Sequence, residues 1–227
     1  MAQVPRTALE QYRRSLDAVC SGAGDQVTRR VRTYIQLNPN ATVEQLRNAS
    51  VEIADAVLGE YGDAASELSC QLFDTVMDAE GMGISAQALG SPSHEAVEGT
   101  VRRVAGTVDG TPESLQAFSD AVGNFASFET RRVANRTTEA NVERAARTRR
   151  GAKVRFARVP RSMEPCAWCA MLASRGFVYR TQEDAAAASH HDCTCDVVPG
   201  VKDSTTVPGY DPGYYKAVWI GSKSAGR

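Results

Sequence analysis

Two short clusters of sulfur and imidazole side chains constrain this chain more than any other feature. Pro165 is followed by Cys166-Ala167-Trp168-Cys169, a C-x2-C pair, and about twenty residues later His190, Cys193 and Cys195 form H-x2-C-x-C. Four of the six cysteines and two of the three histidines lie in this stretch. Tetrahedral Zn2+ takes four soft or borderline ligands, and two short clusters can supply two each without strain. In C-x2-C the first cysteine can stand at a turn and the second in the opening of a helix. Both sulfurs then face one point, and the partial positive charge of the helix start favours thiolate over thiol. Pro165 ahead of the pair, and the run A-W-C-A-M-L-A-S-R up to Gly176, predict that helix. The run T-C-D-V-V-P predicts a strand on which Cys193 and Cys195 share a face, because strand side chains alternate with period two.

The candidates exceed the places. Cys166, Cys169, His190, Cys193 and Cys195 are five, His191 makes a sixth, and spacing alone does not choose. One of His190, Cys193 or Cys195 then stands outside a four-ligand shell, as a supporting or reactive group. Iron accepts the same thiolates as zinc. Other chemistries stay open: a disulfide pair, or cysteines packed as small apolar residues. A C-x2-C redox centre lacks the strand-helix-strand surroundings such centres have. A cysteine nucleophile with a histidine base lacks a third, orienting residue. Catalytic zinc favours histidine and carboxylate around an open position. Glu164 and Asp192 lie close in sequence to the clusters, and both read as solvated surface groups. The expectation is therefore a structural zinc site and no enzyme.

The order C-x2-C, then Gly176-Phe177-Val178-Tyr179, then H-x2-C-x-C, then Val197-Val198-Pro199 resembles the C-terminal module of the MuF-like phage minor capsid (head morphogenesis) proteins. The likeness covers roughly residues 150–200 and is looser over the helical part before it. In that family the second cluster commonly reads H-P-x-C-x-C. Here His191 stands where the proline usually does, which leaves His190 as the aligned histidine. The resemblance implies a minor head component, made in the host cytoplasm and built into the procapsid near the portal. It implies portal and major capsid protein as partners, a place in the virion, and no small-molecule substrate.

The rest of the chain predicts helices that hold or present this module. Leu9, Tyr12, Leu16 and Val19, then Val27, Val31, Tyr34 and Ile35, recur at helical spacing, with Ser21-Gly22-Ala23-Gly24 as a possible break. Asn38-Pro39-Asn40 stops that helix, and Thr42 with Gln45 makes a capping box for the next. Its apolar residues run to Tyr61-Gly62, and a further helix covers about Ala64 to Ala79. After a loop from Ile84 to Ser93 comes a short helix from about Glu95 to Ala105. Thr111-Pro112 then opens a long one to about Arg147, with Leu115, Phe118, Val122, Phe125, Phe128 and Val133 on its apolar face. Such stripes pack on one another as a bundle. Cys20 and Cys70 read as buried apolar residues on these helices.

The character changes at Gly151. K-V-R-F-A-R-V-P alternates basic and apolar residues and predicts a half-exposed strand; G-F-V-Y-R-T and T-C-D-V-V-P predict two more. So small a unit has little core, and a metal ion is a plausible staple. The expected class is α+β. Residues 1–150 form a helical domain, and residues 151–200 a small antiparallel-sheet-plus-helix module with the Cys/His site. Residues 201–227 form an irregular arm anchored by Tyr214, Tyr215 and Trp219, mobile from Gly221 on.

Charge excludes little globally, because the net value is −1. No run of eighteen apolar residues predicts a bilayer span, and the first residues predict no secretory leader. Locally the chain is polar. Residues 41–99 hold eleven acidic residues against the single basic Arg47, whereas residues 144–161 hold eight basic residues and no acidic one. The bland reading is solvated faces balanced within the fold. The functional one is contact with packaged DNA or an acidic partner through Arg147, Arg149, Arg150, Lys153 and Arg155, without base readout and with strong salt dependence. That reading makes a zinc-stabilised, non-specific DNA-binding module the alternative function.

Overall fold

The computed structural model describes residues 2–148, 153–181, 183–185 and 194–225. Its elements in order are α1 (Arg6–Leu37), α2 (Val43–Ala79), α3 (His94–Ala105), α4 (Pro112–Thr148), β1 (Val154–Val159), α5 (Ala167–Ala173), β2 (Asp196–Val201) and α6 (Pro212–Ala225). The fold is mainly helical with one two-stranded antiparallel sheet, an α+β arrangement. Among the described residues no helix is long and apolar enough to cross a membrane.

Two compact units divide the chain. The first gathers Met1–Arg13, Leu68–Ala88 and Asn135–Arg227; the second gathers Arg14–Glu67 and Leu89–Ala134.

The second unit is a packing of four helical segments. Ala23, Val27 and Val31 of α1, Leu46, Val51, Ala54, Val57 and Leu58 of α2, Val97 and Val101 of α3, and Phe118, Val122 and Ala126 of α4 form one buried cluster. Their three-and-four spacing puts them on the inward stripe of each helix. The helix starts are capped as the side-chain chemistry requires. Thr42 N–H donates to Gln45 Oε1 at 2.9 Å and Gln45 N–H to Thr42 Oγ1 at 3.2 Å, a reciprocal box. Ser93 caps α3, and the Thr111 hydroxyl accepts from Ser114 N–H at the start of α4.

Two expected breaks are absent. α1 runs unbroken through Ser21-Gly22-Ala23-Gly24, and α2 through Tyr61-Gly62. The glycine at 22 makes room rather than a turn: a Cβ there would stand 2.7 Å from the Tyr61 ring. Tyr61 in turn donates its hydroxyl to Gln26 Oε1 at 2.9 Å.

The first unit holds the sheet. β1 pairs with β2 from Val154↔Val201 to Val159↔Asp196. On the far side of β1, Phe156 and Tyr179 exchange both backbone hydrogen bonds, and their rings stack with centroids 5.4 Å apart. The expected G-F-V-Y-R-T strand is thus reduced to this single bridge. The segment leaves α5 through Gly176 at φ 68°, and Tyr179 buries its ring at once. The outer edge of β2 is closed. Val197 N–H donates to Asn135 Oδ1, Pro199 has no N–H, and Val201 N–H donates to Thr205 Oγ1 at 2.7 Å. No unpaired donor row is left there to template another strand.

β1 departs from the expected half-exposed strand, because all six of its residues are buried. The arginines that alternate with its apolar residues lie under cover rather than in solvent. Arg158 faces the buried Glu139 of α4 at 3.9 Å, and Arg155 donates to Val154 O at 2.5 Å. The tail also departs from expectation: it forms α6, packed against α5, with Tyr215 buried and Tyr214 and Trp219 partly exposed.

Candidate functional site

α5 is a seven-residue helix whose N-cap is Cys166. The Cys166 sulfur accepts a hydrogen bond from Cys169 N–H at 3.4 Å, so the C-x2-C pair forms one turn with both sulfurs near the helix start. Cys166 is exposed and Cys169 is buried. Cys195 stands just ahead of β2, is 3% exposed, and packs against Cys169 at 5%. The chain thus brings together one sulfur from each cluster. His190, His191 and Cys193 lie outside the described residues, as does Asp192.

The surroundings of Cys195 are built from distant parts of the chain. Asn135 of α4 donates from Nδ2 to Cys195 O at 3.4 Å and accepts from Val197 N–H at 3.2 Å. One buried amide thereby holds both sides of the residue between them. That residue, Asp196, is buried, and Arg13 Nε and Arg161 Nε donate to its two oxygens at 2.7 and 2.9 Å. Two guanidiniums and a carboxylate satisfy each other where a lone charge would be costly.

Tyrosines close the other end of α5. Tyr179 donates to Leu172 O at 2.8 Å and Tyr210 to Ala173 O at 2.5 Å, which satisfies two of the carbonyls that a helix end leaves open. Burial pushes the Tyr210 phenol far above its ordinary range, with Tyr179 adding to the effect. Burial also raises Tyr179 and Tyr215; for Tyr215, Tyr214 and Cys195 add and Arg13 opposes. None of these phenols is poised to give up its proton near neutral pH.

As metal donors, Cys169 and Cys195 are of the soft type that suits Zn2+ or iron. Among the described residues no group of three or more His, Cys, Asp or Glu side chains is placed to hold an ion. Cys166 is not gathered with Cys169 and Cys195 into such a group, and Cys169 and Cys195 alone are two donors of the four that a closed shell takes. Glu164 is exposed, with its N–H on the Ser162 hydroxyl at 3.0 Å.

Part of the basic stretch is spent on the fold. Arg144 donates to Ser85 O and Asn141 Oδ1, and Arg147 pairs with Glu143 on the surface. Arg155 is buried; desolvation lowers its pKa first, Arg180 adds, and Asp184 opposes. Of the five residues expected to meet nucleic acid, Arg155 therefore faces inward, Lys153 and Arg147 are exposed, and Arg149 and Arg150 lie outside the described residues.

Asn135, Arg13 and Tyr210 were not legible as parts of this site, because nothing local marks them. Asp196 did carry a signal: a carboxylate inside C-D-V-V, in an apolar strand, requires a buried cation.

A family model described as VG15 protein matches residues 3–220 of the chain. No curated protein and no solved structure matches it.

Proposed function

The chain belongs to the VG15 protein family, a family of phage proteins, and we propose that it is a structural minor capsid, or head morphogenesis, protein of a tailed phage or prophage. The family match from residue 3 to residue 220 takes in both compact units and supports a phage protein. The observation that carries the head-component reading is the order of motifs between residues 150 and 200, similar to that of MuF-like minor capsid proteins. The ionisable groups around the module support a structural rather than a catalytic role. Asp196 is held by two arginines, Arg158 faces Glu139, and two tyrosine hydroxyls cap a helix end.

In this reading Cys169 and Cys195, with Cys166 and with His190 or Cys193, hold a structural Zn2+. The ion supplies a cross-link between the start of α5 and the start of β2, with no open position for chemistry. The partners are the portal and major capsid proteins, and the protein resides in the virion after assembly from the host cytoplasm. The alternative of a DNA-binding module is weakened by the burial of Arg155 and Arg158 and the pairing of Arg161.

Co-expression with the portal and major capsid proteins of the same phage tests the proposal. The chain should co-sediment with procapsids and be retained on tagged portal protein, and it should elute from duplex DNA at low salt. A chain that stays soluble beside assembled procapsids, yet holds DNA with a steep salt dependence, would favour the DNA-binding reading instead.

A further inference from the structure

Three thiols of the first unit form a graded series from solvent to core. Cys166 is exposed, whereas Cys169 and Cys195 are buried and packed against each other. Cys169 joins the two ends: its N–H donates to the Cys166 sulfur at 3.4 Å, and its side chain packs on Cys195. The buried pair comes from different elements, Cys169 from α5 and Cys195 from the residue ahead of β2. Both backbones are pinned. Asn135 holds Cys195 O, and Arg13 and Arg161 hold the next residue, Asp196. Tyr179 and Tyr210 close the far end of α5. Two cysteines held in contact on fixed backbones are what a disulfide bond requires.

We infer that Cys169 and Cys195 close a disulfide under oxidising conditions, in place of the ion, with Cys166 as the entry for a small-molecule disulfide. The exchange with the ion rests on the zinc reading above; the link itself rests on the packing of the two thiols. A buried thiol is shielded from an oxidant in solution, so an exposed one starts the exchange. The Cys166 sulfur attacks one sulfur of the small disulfide. A new S–S bond forms, the old one breaks, and half of the oxidant leaves as a thiol with the proton that Cys166 gives up. Cys169 then attacks the Cys166 sulfur and releases the second half as a thiol. Last, Cys195 attacks the Cys169 sulfur, and Cys166 leaves as a thiol with the proton from Cys195. One small disulfide is reduced to two thiols, and two cysteine thiols become one disulfide. A shell that loses two thiolates releases its ion. The start of α5 and the start of β2 stay tied in either state. A protein assembled in reducing cytoplasm and carried outside the cell passes from the first state to the second.

Oxidised glutathione added to the full chain, with a chromophoric chelator present, reads both events. Tandem mass spectrometry of the digest should find the Cys169–Cys195 link in wild type and in Cys193→Ser, with zinc release in step and reversal by reductant. Cys195→Ser should stop at Cys166–Cys169. Cys166→Ser keeps an oxygen to cap the Cys169 N–H. On chain stripped of metal, so that the loss of a ligand does not enter, it should form the same link at least about tenfold more slowly. Circular dichroism on each variant checks that the helices are retained. A link that forms on chain purified without zinc overturns the zinc reading and upholds this one. Zinc-bound chain that never forms the link, even when stripped, overturns this inference and leaves the zinc reading standing. Loss of the link in Cys193→Ser, or an unchanged rate in Cys166→Ser, would also overturn it.

Discussion

Arg13 donates from Nε to Asp196 Oδ2 at 2.7 Å, across 183 residues of chain. Asp196 has a fully buried side chain and follows Cys195 directly, so this pair ties the start of β2 to the start of α1. Asp196→Ala should lower unfolding stability by about 3–5 kcal/mol, because Arg13 and Arg161 are left without their carboxylate. Urea denaturation of the variant reads the loss.

Asn135→Ala removes the amide that holds both Cys195 O and Val197 N–H. The buried Val197 donor is then unsatisfied, which costs about 1–3 kcal/mol. The outer edge of β2 also loses one of its three blocks. The variant should therefore be less stable in denaturant and more prone to aggregate on storage than an equally destabilised surface variant.

Phe156 is fully buried at the centre of the sheet and stacks on Tyr179. Phe156→Ala should cost about 3–5 kcal/mol, the transfer term plus a cavity. Thermal unfolding followed by circular dichroism checks this.

His94 opens α3 and contacts the Asp55 carboxylate of α2. The hydrogen bond to Asp55, and then its charge, raise the His94 pKa above 6.5, burial opposes, and Glu98 adds. The folded state favours the protonated ring, so the contribution is complete below pH 6.5 and is lost as pH rises through the higher folded value. NMR titration should place the His94 midpoint above 6.5, and Asp55→Asn should lower it. The stability difference between the two proteins should vanish at alkaline pH.

Elemental analysis of the full chain purified under reducing conditions should find one zinc ion per molecule, the number one four-ligand shell holds. Cys169→Ser and Cys195→Ser should each lower the content sharply. Chelation should destabilise the first unit without removing any activity. Zinc-free wild-type protein with unchanged stability would remove the metal from the account and leave Cys169 and Cys195 as packed apolar residues.

The helices were legible because their signals are local. Thr42 with Gln45 and Thr111 with Pro112 mark starts, Asn38-Pro39 marks a stop, and the apolar stripe of α1 has the right period. Where reading failed, a long-range contact had overruled a local signal. Glycines at 22 and 24 suggest a break, yet they admit Tyr61 and Gly123. Arg155 and Arg158 suggest a solvent face, yet α4 supplies Glu139 and the sheet covers them. The tail, rich in Gly, Pro and Tyr, suggests an irregular arm, yet Pro212 suits the first turn of a helix and Tyr215 finds cover. At the site, the C-x2-C turn at the start of α5 was legible from spacing, and of its two sulfurs it is Cys169 that packs against Cys195. The roles of Arg13 and Asn135 did not, since partners more than sixty residues away leave no mark in their own neighbourhoods.

Quantitative mass spectrometry of gradient-purified phage heads tests the central claim most directly. The account predicts this chain in heads and procapsids at a fixed ratio to the portal protein, retained through washes in high salt. Its absence from heads, with all of it left in the soluble lysate, would contradict a structural role in the capsid.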